Sequence, residues 1–191
     1  MSVERWLTPQ IRNKLEFLCA LNHTPLGISV GWIEVESGGN LHEITDLDER
    51  GLFQLSPAES RDLHIEHDLL SSDLDYSLES GFKLIAYYQQ FVDRCQVAAK
   101  GSEFYWRLVK LFHAAGAGAT GVYVRAAKAA GAMSSWDAMY NYCASHDMEL
   151  REATKHSPST WMWNVDKLIR IGRPYGVELL IPPPTDPKPN S

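Results

Sequence analysis

The sequence predicts one mainly α domain of seven or more helices over residues 1–180, followed by a proline-rich tail at 181–191. Three observations carry this. Apolar residues recur at spacings of three and four along most of the chain. Ser, Thr and Pro residues of the kind that start helices stand just before several of those runs. Strand-like alternation barely occurs. A chain of 191 residues buries roughly 70% of its unfolded surface, enough for a core without metal or disulfide support.

Each element has its own justification. Thr8 and Pro9 form an N-cap and first-turn pair before "QIRNKLEFLCAL", whose Ile11, Leu15 and Leu18 share a face. A second helix is expected from Pro25 to about Glu36. Residues 37–50, "SGGNLHEITDLDER", are rich in glycine and acid and too long for a simple connector, which marks a functional loop. Ser56 and Pro57 restart a short helix in "SPAESRDL". The run "SDLDYSLESGFKLIAYYQQFVDRCQVAA" reads as one long helix, stepping through Leu74, Leu78, Phe82, Ile85 and Tyr88 or Phe91, with Gly81 at a close packing contact. Further helices fit "SEFYWRLVKLFHAAG", "GVYVRAAKAA", "SSWDAMYNYCASH" and "STWMWNVDKLIRIG". The closing "IPPPTDPKPNS" cannot continue a helix and suits polyproline II.

Composition excludes several classes. A formal charge of −6 without a basic cluster argues against nucleic-acid binding. Cys19, Cys95 and Cys143 are odd in number and widely spaced, so neither a disulfide framework nor a metal site is expected. No cofactor is implied. The start "MSVERWLTPQ" has no signal-like apolar segment and no run reaches membrane-spanning length, so synthesis in the cytoplasm without membrane insertion is expected.

Glu36 raises a chemical question. A helix end carries partial negative charge, and Ile33 and Trp32 stand three and four residues back on the same face. Dipole and desolvation would both favour the protonated acid, as a proton donor working near neutral pH requires. The same position also suits a solvated glutamate beside the helix-terminating Gly38 and Gly39.

The segment "ESGGNLHEITDLDERGLFQLSP" resembles the signature of soluble lytic transglycosylases and goose-type lysozymes, "ESxFNPxAxSxxGAxGLMQLMP". Glu36 falls on its catalytic glutamate, and Ser37, Asn40, Gly51, Leu52, Gln54, Leu55 and Pro57 match, while Thr45 replaces the serine. Three frayed correspondences follow in order. Gly81 and Tyr88 resemble the "NIxxGxxYLxxL" helix, with Ser77 at its asparagine. "LFHAAGAG" resembles "AAYNAGPG", keeping Ala115, Gly116 and Gly118, with His113, Ala114 and Ala117 in place of tyrosine, asparagine and proline. "STWMWNVDKLI" resembles "ETRxYVxxVL", with Trp163 at the tyrosine. The resemblance spans about residues 25 to 170.

It implies a lysozyme-like fold and a lytic transglycosylase acting on peptidoglycan glycan strands, with Glu36 as acid and then base and an internal 6-hydroxyl as nucleophile. Substrate contacts are expected at Ser37, Gln54, Phe53, His113, Trp163 and Tyr123. Ser37 equally suits a local cap, Gln54 a loop brace, Phe53 the cleft wall, and His113 a core histidine. Glu34, about 200° round a helix from Glu36, is expected to be structural. A goose-type muramidase would need a second carboxylate from the loop, which carries Glu43, Asp46, Asp48 and Glu49, with Asp46 and Asp48 the candidates. A catalytically weakened glycan-binding or virion module is the third reading. Action would be in the periplasm or cell wall after lysis, injection or delivery by a phage or contractile-tail particle.

Overall fold

A computed structural model describes residues 3–178. Among these the chain is mainly α: nine helices, α1 (Pro9–Leu21), α2 (Leu26–Glu36), α3 (Pro57–Asp62), α4 (Leu74–Cys95), α5 (Glu103–Ala114), α6 (Gly116–Ala129), α7 (Trp136–Ser145), α8 (Asp147–Thr154) and α9 (Pro158–Gly172), with three short 3-10 turns. Extended structure among the described residues amounts to isolated bridges of Arg50 with Ile44 and with Leu55. The predicted proline-rich tail lies outside the described residues.

The helix starts follow local chemistry. Thr8, Ser56, Asp73, Ser102 and Ser135 each accept a hydrogen bond from the backbone N–H three residues on, satisfying a donor that the first turn leaves unpaired. At Ser56 the cap is reciprocal, because Glu59 reaches back to the Ser56 N–H. Two elements differ from expectation. α6 begins at Gly116, five residues before the predicted run, where Thr120 Oγ1 donates to the Leu111 carbonyl at 2.9 Å and ties the bend to α5. α8 was not foreseen, since Leu150 is its sole buried residue and leaves little apolar periodicity to read.

α2 is the axis of the molecule. Gly27, Ile28, Ser29, Val30, Gly31, Trp32 and Ile33 are all buried, so the helix is covered on every side rather than along one stripe. Its tightest neighbour is α9. A Cβ at Gly31 would stand 2.4 Å from the Leu168 carbonyl oxygen, and one at Gly172 would stand 2.0 Å from that of Gly27. Glycine is what lets the two backbones touch. In the same way, the ring of Phe53 occupies the space a side chain at Gly81 would need, confirming the close contact expected there. One apolar cluster runs from Trp6 to Val177. Among the described residues no helix is long and apolar enough to cross a membrane.

Gly31→Ala should therefore lower stability by about 1–3 kcal/mol, the usual cost of overpacking against an unyielding backbone. Urea denaturation should show a lower midpoint with an unchanged slope.

Candidate functional site

Residues 37–56, between α2 and α3, fold back over the end of α2 and are braced by backbone-directed side chains. Ser37 Oγ donates to the Leu52 carbonyl at 2.9 Å, the Leu52 N–H donates to Ser77 Oγ at 3.1 Å, and Gln54 Nε2 donates to the carbonyls of Gly51 at 2.8 Å and Glu43 at 3.1 Å. A cleft of about 590 Å³ opens beside this loop. Val35 and Glu36 come to it from α2, Leu47 and Glu49 from the loop, and Ser56, Glu59 and Asp62 from the α3 region. Tyr87 and Tyr88 come from α4, Lys110, His113 and Ala114 from α5, Ala117 from α6, and Trp161 and Asn164 from α9.

At its centre a buried lysine organises the charges. The Lys110 side chain is 1% exposed and its ammonium pairs with Glu36 Oε1. The same nitrogen donates to His113 Nδ1 at 2.9 Å and lies over the Trp32 ring, 4.5 Å from its centroid. An ammonium only donates, so Nδ1 accepts and the imidazole proton sits on Nε2, which faces Glu59 Oε1 at 3.7 Å. Burial, with the Lys110 charge adding to it, holds His113 well below the usual histidine range, so the ring is neutral. Glu59 is fully engaged: Tyr88 Oη donates to Oε1 at 2.6 Å, while the Ser56 N–H and Oγ donate to Oε2, each at 2.8 Å. Burial, reinforced by Glu59, pushes the Tyr88 hydroxyl upward and keeps it a donor.

Glu49 differs from these carboxylates. Thr45 Oγ1 donates to it at 3.2 Å, but burial lifts its carboxyl above the usual range, and the charges of Glu36 and Glu59 add to the effect. The cleft thus holds a carboxylate paired with a buried cation and a second carboxyl shifted toward its neutral form.

Of the residues singled out from sequence, Glu36 and His113 reach the cleft, and seven do not. Ser37 is turned to the Ile33 and Leu52 carbonyls. Gln54 braces the loop, with Oε1 buried and unpartnered among the described residues. Phe53 is wholly buried behind the cleft against Trp32 and Phe82. Tyr123 is also buried, donating to the His156 carbonyl at 2.9 Å. Trp163 is 57% exposed, and the tryptophan in the cleft is Trp161, two residues earlier and hence on another side of α9. Asp46 is exposed outside the cleft lining, and Asp48 is held by Arg50 Nε at 2.7 Å. The loop carboxylate in the cleft is Glu49. Glu34, as expected, is structural and accepts from Trp6 Nε1 at 2.8 Å.

Lys110, Glu59 and Trp161 were missed, and among the loop carboxylates Asp46 and Asp48 were preferred to Glu49. Lys110 did leave a signal, as the one charge in the otherwise apolar run "LVKLF". The capping-box spacing of Ser56 and Glu59 disguised Glu59 as a helix-start residue, which it also is.

Compared with known protein families, curated proteins and solved structures, the chain shows no match to any of them. Among the described residues no cluster of His, Cys, Asp and Glu could hold a metal ion.

The histidine makes a pH test possible. Because folding depresses its pKa, the unfolded chain takes up the proton first as pH falls below about 6.5, and native stability is lost below that point. Thermal unfolding midpoints from about pH 7 to about pH 5 should fall less steeply in His113→Gln, which keeps an acceptor for Lys110 but does not titrate.

Proposed function

We propose that this chain is a peptidoglycan lytic transglycosylase in which Glu36 is the acid and then the base. The observation that carries the reading is the position of Glu36, the last residue of a helix buried from Gly27 to Ile33, in the wall of a roomy cleft flanked by Tyr87, Tyr88 and Trp161. Aromatic faces suit the apolar C–H faces of pyranose rings. The spacing from Glu36 to "GLFQL" adds the sequence resemblance.

The chemistry balances within one glycan strand. Glu36 gives its proton to the oxygen joining N-acetylmuramic acid to N-acetylglucosamine, and the C1–O bond breaks with its electron pair on that oxygen. The 6-hydroxyl oxygen of the muramic acid then bonds to C1 and returns a proton to Glu36, leaving a 1,6-anhydro end. An internal nucleophile substitutes proximity for a second catalytic carboxylate.

Hydrolysis is the second reading, favoured by one observation: Glu49 lines the same cleft and is offset in protonation from the usual carboxylate. With Glu49 and Glu36 sharing acid and base roles, water would be the nucleophile. Delivery of either enzyme to the wall by a phage or contractile-tail particle is part of the proposal.

Purified sacculi digested with the protein and examined by mass spectrometry should yield anhydromuramic ends. Reducing ends would establish hydrolysis, and no released muropeptides would leave the glycan-binding module. Glu36→Gln should reduce release by at least about 100-fold. Because that change strands the buried Lys110 charge, its unfolding midpoint should also drop and be recovered in Glu36→Gln/Lys110→Met. Trp161→Ala should raise KM for glycan strands several-fold, whereas Trp163→Ala should not.

A further inference from the structure

We infer that Lys110 is a positioning residue that selects which oxygen of Glu36 carries the transferable proton and stabilises the carboxylate left behind; this rests on the glycan-cleaving reading above. Its ammonium has three directions to satisfy and all three are taken, by Glu36 Oε1, His113 Nδ1 and the face of Trp32. Held in this way, it cannot follow the carboxylate if Glu36 rotates. Oε1 is committed to the lysine, while Oε2 makes no hydrogen bond with the described residues. Oε2 is therefore the oxygen left free to exchange a proton with the substrate. As the Oε2–H bond breaks and an O–H bond to the glycosidic oxygen forms, negative charge develops beside a fixed, desolvated cation, where electrostatic stabilisation is most effective.

A purely structural origin fits poorly. Leu108, Val109, Leu111 and Phe112 around Lys110 are buried and apolar. An apolar residue of similar volume would be as stable there or more so, since desolvating an ion pair commonly costs more than its attraction returns. The cation stands at a point in α5 where it pairs with the proposed catalytic carboxylate. His113 contributes by remaining neutral, accepting from the lysine without adding a competing positive charge. The carboxylates lining the cleft around this group from other elements are Glu36 on α2, Glu49 on the loop, and Glu59 and Asp62 on α3.

Lys110→Met, which keeps the aliphatic stem, should lower kcat on glycan strands about 100-fold, comparable to losing one fixed donor at a reacting oxyanion, with KM changed less than about twofold. The loss should vanish in the Glu36→Gln background. In Lys110→Ala, added ethylammonium should restore turnover in a saturable way and sodium should not, a readout that mere packing would not produce. Wild-type kcat in Lys110→Met overturns this inference alone, as does a folded Lys110→Ala protein indifferent to amine. Should Lys110→Met fail to fold, the amine experiment decides. Absence of cleavage by the wild-type protein overturns the functional reading and this inference with it.

Discussion

The structure depends on the contact between the backbones of α2 and α9. Gly27, Gly31 and Gly172 remove the side chains that would hold the helices apart, and the carbonyls of Gly27 and Leu168 lie where a Cβ would otherwise be. Close approach on this side lets α2 pass through the centre of the domain, with Trp32 and Ile33 fully buried near its end. The first polar side chains able to reach solvent again are those at the helix terminus. Glu36 is therefore placed by the packing of residues up to nine positions earlier, and its backbone inherits the rigidity of the core.

The second organising feature is a cation in that core. A lysine buried to this degree is tolerated because each direction of its ammonium meets an acceptor or an aromatic face. The arrangement extends outward through neutral His113 toward Glu59, whose own acceptors are filled by Tyr88 and Ser56. α2, α3, α4 and α5 thus meet at one chain of polar groups. A single charge change in such a network disturbs several helices, because each member is satisfied only by the others.

Much of the architecture was legible because it is local. Periodicity and caps located eight of the nine helices, and the tight contact at Gly81 followed from a glycine interrupting an amphipathic run. The site was legible only in part. Glu36 and His113 stood out through their motif positions, yet Ser37, Gln54 and Phe53, from the same signature, are spent on holding the loop and filling the core. In sequence, a residue that touches a ligand and one that supports its neighbour have the same spacing. Trp163 and Trp161 show the sharper failure, since two residues on a helix differ by roughly 200° and small errors of register exchange cleft for solvent.

The sequence by itself determined the mainly α class, the helix starts and the isolation of a glutamate at the end of an apolar segment. Those properties depend on residues three or four apart, which one turn of helix brings together. Tertiary structure alone decided that Lys110, 74 residues from Glu36, would be its partner, and that Glu49 rather than Asp46 or Asp48 would line the cleft. Burial sets the direction in which Glu49 and His113 titrate, and burial is a property of the assembled helices that no local pattern encodes.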